Sequence, residues 1–490
     1  MKLKYLDLFG LSLAFFFTRL INLKIVPIFT DEAIYTYWAQ IALHDPVNRF
    51  VSLEDGKQPL FVWLGAVFQK FISDPLIAMR LVSVFAGFGS LIAIYLLTKT
   101  LFDKKIAILA VIFYIILPFT LLYDRMALFD SLLTMFGVFS AYLAVKSAKS
   151  PKLSVGALNG LVIGLGLITK SSANFFIYLL PFSYIFLNFA KLFDKKLVKW
   201  LAVSTLTAII AQIVYNMLRL SPLFYMIDRK NYEFIRSFGE ILKNPLIQIQ
   251  SNPKTIATWF IEYNGWPFIA LVIITSLYTI YKRKVEALIL ISYVSLPFLA
   301  ESIFNKVLYP RFSLFFFPYI IIIAAFGLDA FRKKHALLFI PVIIITLTVP
   351  VFSSFKLLTN PSHSLIAQAD KEQYLNSWPA GYGVSEVVTF LKAESQNHPV
   401  IVGTEGTFGL LPFALQIYFY SNKNVQISGY WPVKDIPQQI LESAKHNKTY
   451  FIFNENQKIS DTTINPHLKL IAKYQKGTGN SYMRFFEIVE

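Results

Sequence analysis

The sequence predicts a polytopic α-helical membrane protein of about eleven spans, followed by a C-terminal α/β domain. Three observations lead there. Apolar runs recur through residues 1–355 at about the 20-residue length that a helix needs to cross a bilayer. The chain is 55% hydrophobic and 15% charged, whereas soluble domains run about 45–50% and about 25%. Past residue 356 the apolar runs shorten to strand length.

Candidate spans fall at 5–23, 76–98, 106–122, 127–145, 153–169, 172–190, 197–219, 265–281, 287–304, 312–331 and 336–352. The first is expected to stay in place rather than be cleaved, because no small-residue cleavage site follows it. Sides follow from the basic residues, which concentrate in cytoplasmic loops. With the N-terminus inside, the inner segments 1–4, 99–105, 146–152, 191–199, 282–286 and 332–334 hold 18 Lys+Arg in 35 residues. The outer segments 24–59, 123–126, 170–172, 220–264 and 305–311 hold 12 in 95. The reading is a multi-pass cell-membrane protein with a cytoplasmic N-terminus and residues 356–490 extracytoplasmic. Much of the net charge of +17 is therefore a topology signal meeting lipid head groups. Nucleic acid is not an expected partner.

Three segments do not span. Within the outer stretch 24–75, residues 59–72 are too short to cross and suit a helix in the interface, with Trp63 and Phe68 on it. The second outer loop, 220–264, offers Tyr225, Tyr232, Trp259 and Tyr263 as interfacial anchors. In the C-terminal part, strands are predicted at 399–403 and 449–453, with helices at 382–395, 409–420 and 435–446. No glycine-rich phosphate motif opens any of these helices, so no chemistry is expected there. Cysteine is absent, which excludes disulfides, thiolate zinc sites and cysteine nucleophiles.

Charges beside or inside membrane segments are costly and mark functional candidates. Asp31, Glu32, Asp55, Lys57, Arg80, Asp124, Arg125, Asp130, Lys170, Glu301, Lys306 and Arg311 all fall at or near expected outer ends of spans. Each has a plain structural reading. Asp31 and Glu32 suit the first turn of a helix, Lys57 can snorkel before Pro59, and Arg125 can pair with Asp124 or Asp130. Together, basic side chains from four loops can grip a phosphate at the membrane surface, with Arg binding it bidentately. A carboxylate beside them can take a proton from an attacking acceptor.

The order of these motifs resembles the GT-C class of integral-membrane glycosyltransferases, in particular the protein-O-mannosyltransferase and aminoarabinose-transferase-like group. The resemblance covers roughly the first 330 residues. It runs through Asp31-Glu32, Lys57-Gln58-Pro59-Leu60, Arg125 with Asp130, Thr169-Lys170 after a glycine-rich span, and Lys306 with Arg311-Phe312 and Pro318. Gln58 departs from the more usual Lys-Pro-Pro-Leu. The resemblance implies transfer of a sugar from a polyprenyl or dolichyl monophosphate carrier, with the lipid-linked sugar as partner and the acceptor (protein Ser/Thr, glycan or glycolipid) left open. It makes Asp31 the catalytic base and Glu32 its neighbouring acid. Lys57, Arg125, Lys170, Lys306 and Arg311 become donor-binding residues, with Asp130 orienting Arg125. One base and no second nucleophilic carboxylate imply inversion. No cofactor is required by that group, although Asp31, Glu32 and Asp130 offer oxygen ligands to a divalent metal. The alternatives are a lipid-linked glycan transporter or flippase, disfavoured by the lack of an internal repeat, and a scaffold that works through residues 356–490.

Overall fold

The computed structural model describes residues 3–189, 192–244, 246–455 and 465–489. Lys2 and Lys191 of the expected inner segments, and residue 190 at the end of one expected span, lie outside the described residues. Helices cover the first 359 residues in the expected order: α1 (Leu3–Leu20), α2 (Thr30–His44), α3 (Leu60–Gln69), α4 (Pro75–Leu101), α5 (Lys104–Ile116), α6 (Pro118–Tyr123) and α7 (Phe129–Lys149). Then come α8 (Leu153–Leu167), α9 (Asn174–Leu187), α10 (Lys195–Asn216), α11 (Met226–Phe234) and α12 (Phe238–Lys243). The set closes with α13 (Asn252–Tyr281), α14 (Val285–Phe304), α15 (Phe317–Lys334) and α16 (Phe339–Thr359). Among the described residues, seven helical stretches are long and apolar enough to cross a membrane, and these support a membrane location. The other expected spans are shorter helices or, at α1, a helix of 18 residues. α3 lies where an interfacial helix is expected.

Local chemistry explains the boundaries. Asp74 accepts the Ile77 N–H at 3.0 Å and Pro75 takes the first turn of α4, an ordinary capped start. The expected span 106–122 is split, because Pro118 cannot continue α5 and Leu117 before it is extended (ψ 130°). The expected span 265–281 is instead the second half of α13, which breaks at Gly265 (φ 75°, ψ 157°) just before Pro267. Its first half occupies part of the expected loop 220–264. That placement changes two anchors: Trp259 and Tyr263 are buried, whereas Tyr225 and Tyr232 are exposed. α8 and α10 pack closely along a glycine stripe. A Cβ at Gly156 or Gly160 would come within 2.8 Å of the Val203 or Thr207 carbonyl oxygen, and one at Gly164 within 2.6 Å of Val214.

Beyond α16, short strands and helices form a small sheet domain: α17 (Gln368–Lys371), α18 (Val384–Glu394), β1 (Val400–Glu405), α19 (Leu410–Phe419), β2 (Val425–Tyr430), α20 (Gln438–Ala444), β3 (Lys448–Phe453), β4 (Leu468–Gln475) and β5 (Tyr482–Ile488). The strand order is β2-β1-β3-β5-β4. β1 pairs in parallel with β2 and β3, while β5 runs antiparallel to β3 and β4. The domain shares its core with the bundle. Ile28, Ala33 and Leu76 pack in one cluster with Val387, Leu391, Leu410, Leu415 and Phe485.

The loops at that end of the bundle are locked by buried charges. Glu32 and Arg80, both 0% exposed, form a two-pronged pair at 2.7 and 2.8 Å. Glu32 also accepts the backbone N–H of Phe29 at 3.0 Å and of Ala127 at 2.6 Å. Arg80 donates further to the carbonyls of Leu23, Val26 and Pro27. A second buried pair joins Arg19 to Asp124 at 3.3 Å. Arg125 donates to the carbonyls of Thr18, Arg19, Ile21 and Asn22 at 2.7–3.0 Å. It thereby satisfies carbonyls of the last turn of α1, which a helix end leaves without partners, and of the two residues that follow it.

This packing predicts the stability of three variants. Gly160→Val should push α8 off α10 and lower the stability of the detergent-solubilised protein by about 1–3 kcal/mol. Gly10→Ala, with nothing within 4 Å of the added Cβ, should leave the unfolding midpoint where it is. Arg125→Gln should cost about 2–3 kcal/mol, since several carbonyls lose a charged donor. An unchanged thermal midpoint for Arg125→Gln would show that the clamp on α1 carries no weight.

Candidate active site

Asp31 is in the first turn of α2, whose start is set by Glu32 reaching back to the Phe29 N–H. That bond turns Glu32 inward and leaves Asp31, one residue earlier, on the more open side. Asp31 Oδ2 meets Arg311 Nη2 at 2.8 Å, with the two side chains 24% and 11% exposed. A long bond of 3.4 Å from the Tyr35 hydroxyl reaches the same oxygen. Arg311 is the second residue of a 3₁₀ segment, Pro310–Phe316, that leads into α15. Its guanidinium lies 5.5 Å from the Phe29 ring, 5.1 Å from Tyr309 and 5.9 Å from Phe312.

Phe312 links this pair to a second one. Lys170 Nζ is 4.3 Å from the Phe312 ring and 2.7 Å from Asp130 Oδ1. The Phe312 and Phe234 rings are 6.3 Å apart, and Lys57 Nζ lies 5.1 Å from Phe234. Burial lowers the Lys57 pKa; the charges of Asp31 and Asp55 oppose the shift, and Lys170 and Arg311 reinforce it. Lys57 therefore feels three of the other site candidates. Gln58, the departure from the family pattern, donates to Ser171 Oγ at 2.7 Å, and the Leu60 N–H donates to the Ile168 carbonyl at 3.1 Å. These two bonds hold the Lys57 loop against the Lys170 loop.

Asp31, Lys57, Asp130, Lys170 and Arg311 are thus brought together, and three sequence candidates are not. Glu32 is sealed beneath the site with Arg80. Arg125 clamps α1 and pairs with neither Asp124 nor Asp130, so Asp130 orients Lys170 rather than Arg125. Lys306 turns to the Tyr232 carbonyl at 3.0 Å and to Glu240 at 3.1 Å, fastening the loop that carries α11 and α12. Among the described residues, no group of three or more His, Asp or Glu side chains is arranged to hold a metal ion. Asp31, Glu32 and Asp130 face cations instead.

The structure also brings in residues that sequence reasoning left out. Asp370, in α17, is buried against the bundle, and its Oδ2 accepts hydrogen bonds from the Tyr123 and Tyr263 hydroxyls. Burial pushes the Asp370 carboxyl up to about 7, against those two bonds and the Arg311 charge. Tyr374, just beyond it, meets Phe29 edge-on at 4.8 Å. A lone Asp and Tyr in a short polar segment carry no sequence signal of this role. The segment is held in place by backbone pairing, from the Thr30 N–H to the Pro379 carbonyl at 3.1 Å and from the Gly381 N–H to the Ile28 carbonyl at 2.8 Å.

Comparison with known proteins supports the resemblance to GT-C membrane glycosyltransferases. A family described as dolichyl-phosphate-mannose-protein mannosyltransferase matches residues 56–215. A search of curated proteins finds no significant match. The crystal structure of ArnT from Cupriavidus metallidurans in the apo state aligns over 99% of this chain and 98% of its own, with TM-score 0.60 and 12% identity. The same protein bound to undecaprenyl phosphate aligns over the same shares with TM-score 0.56 and 12% identity. The archaeal oligosaccharyltransferase AglB from Archaeoglobus fulgidus, in complex with an inhibitory peptide and a dolichol-phosphate, aligns over 92% of this chain and 69% of its own, with TM-score 0.54 and 13% identity. At these identities the likeness establishes the fold. The chain has the helical-bundle-plus-small-sheet fold of ArnT, and the resemblance to GT-C membrane glycosyltransferases read from its motifs is met by both the family match and the fold.

Proposed function

We propose that the protein transfers a sugar from a polyprenyl or dolichyl monophosphate carrier to an acceptor on the extracytoplasmic face of the membrane. The meeting of Asp31, Lys57, Lys170 and Arg311, from four separate loops at one end of the bundle, carries this reading. The family match and the lipid-phosphate ligands of the two structural neighbours support it. The Lys and Arg bias of the loops supports the orientation, with the N-terminus cytoplasmic.

Electrostatic magnitudes separate the possible roles of the two carboxylates. The Asp31–Arg311 pair keeps 24% of the Asp31 side chain and 11% of the Arg311 side chain exposed, so it is more open than the sealed Glu32–Arg80 pair and a competing anion can reach it. An incoming lipid phosphate can therefore draw Arg311 away and leave Asp31 free. The Glu32–Arg80 pair is sealed, and breaking a pair of that kind costs about 3–5 kcal/mol. Asp31 is the base of the proposed reaction, and Glu32 is a positioning residue. In the transfer step an acceptor oxygen or nitrogen attacks the anomeric carbon and its proton passes to Asp31. The bond from that carbon to the phosphate oxygen breaks, and its electron pair leaves with the phosphate. Lys57, Lys170 and Arg311 stabilise the charge that develops on the leaving phosphate. A single displacement of this kind inverts the anomeric centre.

The rival reading, transport of a lipid-linked glycan without transfer, draws on the break in α13 at Gly265, since broken helices line many transporter sites. Labelled polyprenyl-phosphate sugars presented with cell-envelope extract decide between them. Wild type should transfer label, and Asp31→Asn should fall by about 10²–10⁴-fold while still binding polyprenyl phosphate. Equal transfer by both forms would remove Asp31 as base, absence of transfer by wild type would leave the transport reading, and a retained anomeric configuration would rule out direct displacement.

The lowered pKa of Lys57 adds a pH signature. Its charged form grips phosphate, so binding of bare polyprenyl phosphate should weaken as pH rises, and should do so below the range of an ordinary lysine near 10.5. Lys57→Arg, which stays charged, should flatten that profile. Identical pH profiles for wild type and Lys57→Arg would show that titration of Lys57 does not govern phosphate binding.

A further inference from the structure

Three buried polar atoms around the closed side of the site lack a hydrogen-bond partner: Arg311 Nη1, Asp370 Oδ1 and the Tyr374 hydroxyl. Asp370 and Tyr374 are both 0% exposed. The Tyr374 hydroxyl approaches that of Tyr123 without a hydrogen bond of good geometry. Tyr374 and Arg311 share the Phe29 ring, one edge-on at 4.8 Å and the other at 5.5 Å. Both Asp370 and Tyr374 lie within electrostatic reach of the guanidinium. Asp370 cannot easily swing away, because its other oxygen is held by Tyr123 and Tyr263.

An unsatisfied buried polar group is destabilising, so three in one place point to a ligand that completes them. The set comprises a guanidinium N–H that only donates, a carboxyl that accepts when ionised, and a phenol that does both. Neighbouring hydroxyls match this set, since each can donate to one group and accept from another. With one cationic donor and one carboxyl side by side, the set has no strong net charge to favour a charged group over a neutral one. Arg311 spans the two sides: Nη2 meets Asp31 where phosphate would enter, and Nη1 belongs to the closed side.

We infer that Asp370 and Tyr374, together with Arg311, form the subsite that receives the hydroxyls of a neutral sugar carried on the lipid phosphate. The inference rests on the proposed transfer reaction and adds the class of sugar to it. It also gives the chain beyond α16 a direct part in donor selection. Phosphate is held by Lys57, Lys170 and one arm of Arg311, and the sugar by the other arm and two residues from the C-terminal segment.

The test measures binding of bare undecaprenyl phosphate, of a panel of undecaprenyl-phosphate hexoses and of their monodeoxy analogues to the full-length protein. Wild type should prefer at least one hexose-bearing lipid over the bare lipid. Tyr374→Phe, checked for an unchanged unfolding midpoint, should narrow that preference by about tenfold and no longer discriminate against one of the deoxy analogues. Its affinity for bare undecaprenyl phosphate should stay that of wild type. Equal weakening of bare and sugar-bearing lipids, or no change in either, would overturn the subsite. If Tyr374→Phe does not fold, Asp370→Asn read in the same way decides the matter. Failure of wild type to bind any lipid phosphate would instead overturn the proposed reaction, and the subsite with it.

Discussion

The sealed pair of Glu32 and Arg80 is the interaction on which the functional end of the molecule depends. It joins the start of α2 to α4, receives the Ala127 N–H from the turn before α7, and gathers the carbonyls of Leu23, Val26 and Pro27. Those carbonyls belong to an irregular stretch with no helical partners of its own. Irregular backbone at the end of a bundle is tolerated where the protein itself satisfies it, and Arg80 does so with three of its donors. A buried ion pair is weak evidence of net stability, because desolvation offsets the attraction. Its value here is geometric: two charges with every prong engaged admit one arrangement of three loops, and Asp31 stands on the loop so fixed.

The same chain contains charge pairs of two kinds, and their difference in burial divides scaffold from site. Arg19–Asp124 and Glu32–Arg80 are closed to solvent and carry additional hydrogen bonds to backbone. Asp31–Arg311 and Lys170–Asp130 are partly open, and their cations also lie against aromatic rings. Closed pairs hold shape. The partly open pairs are the ones that the proposed donor phosphate would have to part. Aromatic rings between the cations keep Arg311, Lys170 and Lys57 near one another although like charges repel, since each cation gains from a ring face.

This division explains what could be read from the sequence. Placing the loops at one end rested on charge bias and apolar length, both properties of the chain alone, and the bonds from Gln58 to Ser171, Lys170 to Asp130 and Arg311 to Asp31 join those loops. Which cation takes which role depends on side-chain direction, which spacing does not carry. Arg125 is placed by sequence next to Asp130, yet its donors go to the end of α1, because four unpaired carbonyls compete better for a buried guanidinium than one carboxylate already held by Lys170. The central strands β1 and β3 were visible as continuous apolar runs because both faces are buried. β4 was not, since its edge position mixes Lys and Gln with apolar residues and leaves much of it exposed.

The C-terminal segment was the least legible part, and physical reasons tie it to the site. Residues 28 and 29 run extended into Thr30, the first residue of α2, and the backbone groups of Ile28 and Thr30 find partners in Gly381 and Pro379. Once that pairing forms, Tyr374 is carried onto Phe29 and Asp370 between Tyr123 and Tyr263. None of these side chains needs a motif to arrive, because the backbone bridge delivers them. The irregular stretch that exposes Asp31 therefore also recruits the segment that closes the far side of Arg311. A site built this way has an open wall from the bundle loops and a closed wall from the small domain, with one arginine serving both.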